Sequence, residues 1–212
     1  MARIIEGSKF KTQLHEQVLV CIKENLKHHT IQQLHKEGDA GRIWRCTNNG
    51  SSVYGFTVLA PPGWLIMTGD MGECMWSRHR DMLPFIRGSI GSLSYFSEKV
   101  PREVKIMDEY TELATEWLEE AQSEYEERHA EPMTDEELEQ LADIQSSYET
   151  YGDPSDLRRA IYESPLYNGD TSSVPSLQYY TYQYLWKIEA LKWFIDRIDS
   201  GVFEVKEFTW EI

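Results

Sequence analysis

No stretch of this chain approaches the ~20 consecutive apolar residues that a membrane-spanning helix needs. The opening residues, MARIIEGSKFKTQ, carry no apolar leader core, so export is not expected. Cysteine is scarce. Cys21, Cys46 and Cys74 lie far apart with no CxxC, and an odd count at such spacing reads as free, mostly buried thiols in a reducing cytoplasm. The phosphate-cradling patterns GxxxxGK[ST] and GxGxxG are missing, as is HExxH. His28, His29 and His35 lack finger spacing, so neither a metal nor a cofactor is expected. Positive charge is also short: 21 Lys and Arg face 36 Asp and Glu, for a net charge of −15. That balance opposes direct binding to nucleic acid, because phosphate rows would be repelled.

The deficit is local. Residues 1–102 hold 13 basic and 9 acidic side chains, and residues 154–212 hold 6 and 9. Residues 103–153 hold 18 acids against only Lys105 and Arg128. The chain therefore reads as a near-neutral body with one acidic arm. The expected organisation is a sheet core over 1–102, an acidic helical hairpin inserted at 103–153, and C-terminal helices with a last strand over 154–212 completing the core.

What is present is a clear alternation of elements. Leu14, Val18, Leu19, Ile22 and Leu26 recur at helical spacing and predict an amphipathic helix over 12–28. A polar connection with His28, His29 and His35 is expected to follow, ending at Gly38-Asp39-Ala40-Gly41. Four strands are then expected: 42–47, 53–60, 64–68 and 73–77. Asn48-Asn49-Gly50, Pro61-Pro62-Gly63 and Gly69-Asp70-Met71-Gly72 are the turns. Loops this short pair neighbouring strands antiparallel. Ser77 is the expected cap of the next helix, whose first turns can accept Pro84. Another short helix begins at Leu93 and stops at Pro101.

A long helix is expected over 103–130, with Val104, Met107, Trp117 and Leu118 on its apolar stripe. Thr134-Asp135-Glu136-Glu137 reads as a capping box opening a second helix. Asp156 to Glu163 reads as a short helix and 167–173 as a loop. Residues 176–200 read as a helix apolar almost all round, containing Trp186 and Trp193 and ending at Gly201. Residues 202–210 alternate loosely and can supply a fifth strand. The fold class is α+β: an antiparallel sheet of four or five strands packed by N- and C-terminal helices.

Two groups of residues have chemical potential. Asp70, His79 and Asp81 lie within twelve residues, with Arg78 and Arg80 between them, and such a cluster can serve acid–base or nucleotide chemistry. Turn and helix-start preferences alone also account for both aspartates. The second group is the acidic arm. Glu112, Glu116, Glu119, Glu120, Glu124, Glu127, Asp135 and Glu136 form a charge row able to copy the phosphates of a duplex and occupy a nucleic-acid channel on another protein.

Three blocks carry a resemblance. TGDMGECMWSRHRDMLPFIR, SYFSEKV and YQYLWKIEALKWFIDRI follow one another in the chain. They resemble, in order and spacing, blocks of an uncharacterised protein family of tailed-phage and prophage genomes. Phe96-Ser97 stands where that family usually has Trp-Ala. The resemblance implies a phage accessory protein made in the host bacterial cytoplasm, and it brings no activity with it. The expected function is thus a non-enzymatic protein that binds and inhibits a host protein, such as a nucleic-acid-guided (CRISPR-type) defence complex, through its acidic surface. Two alternatives stay open: a small enzyme or nucleotide-binding protein using Asp70, His79 and Asp81, and a homodimeric structural protein joined through the Trp-rich helix.

Overall fold

Alternating apolar side chains between residues 30 and 77 build one sheet with a dry face. In a computed structural model of the chain, the described residues are 9–36, 41–101, 107–109, 119, 121–123, 125–127, 132–151, 162–164 and 178–205. The strands are β1 (Thr30–Lys36), β2 (Arg42–Asn48), β3 (Ser51–Ala60), β4 (Trp64–Gly69), β5 (Cys74–Ser77), β6 (Met107–Glu109), β7 (Gln178–Tyr180) and β8 (Glu204–Val205). The helices are α1 (Lys9–Asn25), α2 (Met82–Ser89), α3 (Leu93–Ser97), α4 (Asp135–Tyr151) and α5 (Tyr182–Asp199).

Packing divides the chain into two units. Leu14–Ile106 joins Tyr180–Ile212, and Met1–Gln13 joins Met107–Tyr179. The second unit therefore runs on to Tyr179, beyond the boundary at 153 that the charge imbalance draws.

The first unit is an α+β fold on a six-stranded sheet, in the order β5-β4-β3-β2-β1-β8. Its strands pair antiparallel except β1 with β8, which are parallel. The sheet is thus mixed and wider than four or five antiparallel strands. The extra strand is β1, which replaces the expected polar connection. Its Ile31 and Gln33 point to the buried face, but a glutamine at a core position breaks the apolar alternation that marks a strand.

One face of the sheet, through Ile31, Trp44, Cys46, Phe56, Val58, Leu65, Met67 and Trp76, belongs to the main core. Val18, Ile22 and Leu26 of α1, Leu83 and Ile86 of α2 and Phe96 of α3 pack there too. At the centre lies α5, where every residue from Tyr184 to Leu191 is buried. Trp186 meets Phe56 edge-on at 5.9 Å and stacks near Tyr54 at 6.1 Å, while Phe194 meets Trp44 at 5.4 Å. Trp193 is only half-buried, with Arg197 over its ring.

Helix α5 begins at Tyr182, six residues later than its apolar pattern predicts. Gln178–Tyr180 is taken by β7, and the Thr181 hydroxyl accepts the N–H of Tyr184 as a cap. Helix α2 is capped by Asp81 rather than Ser77. In the second unit the expected helix over 103–130 does not hold at its start. Met107–Glu109 is the strand β6, paired with β7, so tertiary pairing overrides helical spacing there. Residues 121–123 and 125–127 are helical, and the Thr134–Glu137 capping box forms in both directions, at 2.8 Å and 3.3 Å. The expected loop 167–173 and most of the short helix 156–163 lie outside the described residues.

Two predictions come from this core. Trp186→Ala should cost about 3–5 kcal/mol in a denaturant titration, because its neighbours cannot collapse into the space. His29 is buried, and burial holds its pKa below the usual histidine value. Backbone groups of Asn25, Val53 and Tyr54 oppose part of that shift. The folded state thus favours the neutral ring. Stability should be complete above the unfolded pKa of ~6.5 and fall as pH drops below it, since the unfolded chain then binds more protons. A denaturation-midpoint series against pH should show a shallower slope in that window for His29→Gln.

Candidate functional site

The central turn is built by close approach. A Cβ on Gly69 would sit 2.2 Å from the Gly55 oxygen, so only glycine lets β4 close on β3 there. The register between β2 and β3 slips in the same place, leaving a bulge before Phe56. Within it Tyr54 has φ +52°, a left-handed conformation that costs a non-glycine residue free energy. Asp70 holds this bulge. Its N–H donates to the Gly55 oxygen at 3.0 Å, and its Oδ2 accepts the N–H of Tyr54 at 2.9 Å.

Asp81 and His79 lie at the other end of the same hairpin. The N–H of Gly63 donates to the Arg80 oxygen at 2.9 Å, which places 78–81 beside the start of β4. Asp81 Oδ1 accepts the N–H of Leu83 at 3.1 Å, and its Oδ2 takes a hydrogen bond from Arg42 Nη2 at 2.8 Å. The His79 ring rests against Phe85, 5.3 Å between centroids. Between Asp70 and this end runs the six-residue β4, about 20 Å at a strand's rise per residue. The fold therefore keeps Asp81 and His79 near each other and Asp70 far from both. Each aspartate accepts a backbone N–H, and Asp81 is also paired with Arg42.

The acidic row is a different kind of surface. Glu119, Glu127, Asp135 and Glu136 are exposed, as are Glu126, Glu139 and Asp143. Met133, Leu141 and Ile144 are buried. Glu112, Glu116, Glu120 and Glu124 lie outside the residues whose side chains are described, as do Trp117 and Leu118.

Some chemistry-bearing residues escape sequence reasoning. Lys187 is buried in the middle of α5, and a Cβ on Gly72 would lie 3.6 Å from its Nζ. Burial lowers its pKa, partly offset by Cys74 and Glu73. The Cys74 thiol is itself pushed up to about 11 by burial, so it is not a reactive thiolate. Glu189, also buried, accepts from Lys192 Nζ at 2.7 Å and bonds His15 Nε2 at 2.9 Å. Gln33, Lys36, Arg42 and Arg87 meet around a cleft although they come from β1, β2 and α2. No local pattern announces either group, because both are assembled across the sheet.

Among the described residues, no group of three His, Cys, Asp or Glu side chains is placed to hold a metal. No described helix is long and apolar enough to cross a membrane. No family model, curated protein or solved structure matches the chain.

Asp70→Ala and Asp81→Ala should each lower unfolding free energy by about 1 kcal/mol, the worth of one such backbone hydrogen bond or cap. Asp81→Asn, which keeps the acceptor, should recover most of its share of the thermal shift. A variant that lost a biochemical activity at unchanged stability would return that carboxylate to a catalytic role.

Proposed function

We propose that this chain is a non-enzymatic accessory protein that binds another protein through its acidic helices, offering carboxylates where the partner ordinarily takes nucleic-acid phosphates. One observation carries the reading. Seven exposed carboxylates fall between residues 119 and 143, and none of the described residues in that span is Lys or Arg. Like charges so close repel one another, and water and salt only partly relieve this. An opposing cationic groove relieves it directly, and the same groove is what a duplex would occupy. The two aspartates that suggested an enzyme are engaged by backbone N–H groups, which supports binding over catalysis.

The block resemblance supplies the context. In a phage accessory protein made in the host bacterial cytoplasm, the partner is a host protein with a nucleic-acid channel, such as a nucleic-acid-guided defence complex, and binding inhibits it. The test is affinity capture from a lysate of the bacterial host, with the bound proteins identified by mass spectrometry. Capture should weaken steeply with added salt and be competed by duplex DNA. It should be lost when Glu119, Glu127, Asp135 and Glu136 are all changed to Lys, with the circular dichroism spectrum unchanged. A reversed variant that still captures the same partner would reject the phosphate-mimic reading.

A further inference from the structure

We infer that the six-stranded unit carries a cleft for a small organic carboxylate, a site independent of the acidic helices. The cleft has a volume of about 210 Å³ and lies among β1, β2, α2, the end of α5 and Phe203. Its wall is partly apolar, through Leu83, Ile198 and Phe203. Its polar groups all have something to donate. Gln33 is only 8% exposed, yet its side-chain amide makes no hydrogen bond among the described residues. The amide itself is not sealed from solvent, so it stands open at the cleft as a donor. Lys36 is exposed and forms no ion pair among the described residues. Arg42 gives Nη2 to Asp81, and its Nε is buried without an acceptor. Arg87 clamps Asp199 through Nε and Nη2. Both guanidinium groups therefore keep Nη1 clear of those carboxylates.

Charge and size define the ligand. Three cations stand against Asp81 and Asp199, which leaves one positive charge over at the cleft. That surplus suits a monoanion. The net charge of −15 on the whole chain disfavours an approaching polyanion, so a nucleic-acid strand does not fit the site. The volume lies below the ~300–1,000 Å³ of pockets for larger ligands, leaving room for a body of about one ring. Arginine forks match a carboxylate, and the amide of Gln33 adds a donor. Leu83, Ile198 and Phe203 would take the apolar body, which inorganic phosphate lacks.

The test titrates the full-length chain with benzoate, benzyl alcohol and inorganic phosphate, followed by 15N-edited NMR of the Gln33 side-chain amide and the Arg87 Nε–H. Benzoate should give saturable shifts at both groups. Benzyl alcohol, the same ring without charge, should give none, and phosphate should bind about tenfold more weakly or worse, the factor for ~1.4 kcal/mol of lost contact. Lys36→Gln changes an exposed side chain, so the fold should survive while benzoate weakens roughly three- to fivefold, the scale of one solvated ion pair. Gln33→Leu should abolish or sharply weaken binding with the fold retained, because it removes a donor from the cleft wall. Asp199→Asn should tighten binding by taking away a competing carboxylate. Absence of saturable shifts with benzoate, equal binding of benzyl alcohol or phosphate, or parent-like affinity in both Lys36→Gln and Gln33→Leu would overturn the assignment.

Discussion

The burial of α5 is the constraint on which the sheet unit depends. Eight successive residues, Tyr184 to Leu191, are shielded from water, which no single flat surface can do for a helix. Apolar groups from the sheet, α1, α2 and α3 share one core with it. Because the run includes Lys187 and Glu189, the core must also accommodate two ionisable groups, and buried charge is tolerated only with partners or near the surface. Glu189 finds His15 and Lys192. Lys187 reaches the turn at Gly72. That turn is shaped by Gly69 and Asp70, so the GDMG segment and the Trp-rich helix constrain each other.

Residues 68–87, 94–100 and 182–198 meet at this same point. Trp76 stacks on Phe96 at 5.1 Å, Ser97 Oγ and Tyr184 OH share a hydrogen bond of 2.9 Å, and Trp76 and Tyr184 are 6.4 Å apart by ring centroids. Each of these interactions joins two of the three segments. Segments far apart in sequence but joined in one core must keep compatible shapes. The Phe96-Ser97 pair is understandable in these terms. Phe96 fills the space beside Trp76, and Ser97 supplies the partner that the buried Tyr184 hydroxyl needs.

Much of this fold was legible because local physics and tertiary packing agree. The four strands from Arg42 to Ser77, their Gly- and Pro-marked turns, the Thr134 capping box and the stop at Gly201 all follow rules that act over a few residues. The failures occur where a distant partner decides. Gln33 conceals β1 because a polar side chain stands at a buried position of the strand. Residues 107–109 and 178–180 obey a pairing seventy residues apart, against the helical spacing of the first. Of the candidate site, the acidic row was readable from composition, and its described members Glu119, Glu127, Asp135 and Glu136 are exposed. The Asp70–Asp81 cluster does not converge because proximity in sequence is not proximity across a hairpin: β4 separates its ends by its full length. The cleft around Arg42 was illegible, since nothing in the chain says that residues 33, 42 and 87 will share a space.

The two units treat charge in opposite ways. In the sheet unit carboxylates are met by cations, as in Arg42 with Asp81 and Arg87 with Asp199. In the acidic helices the excess goes beyond what the helices themselves use. Asp135, Glu136 and Glu137 sit in the first turn of α4, where the helix dipole favours negative charge, and Glu137 also completes the capping box. Glu139 and Asp143 lie past that turn and gain nothing from the dipole, which fades within it. Nor do they follow the common pattern of a solvated helix, in which a lysine or arginine four residues on offsets each acid. Helix formation therefore accounts for the acids at the start of α4 and not for those further along. It is on this remainder, rather than on the net charge of the chain, that the proposal of a partner rests.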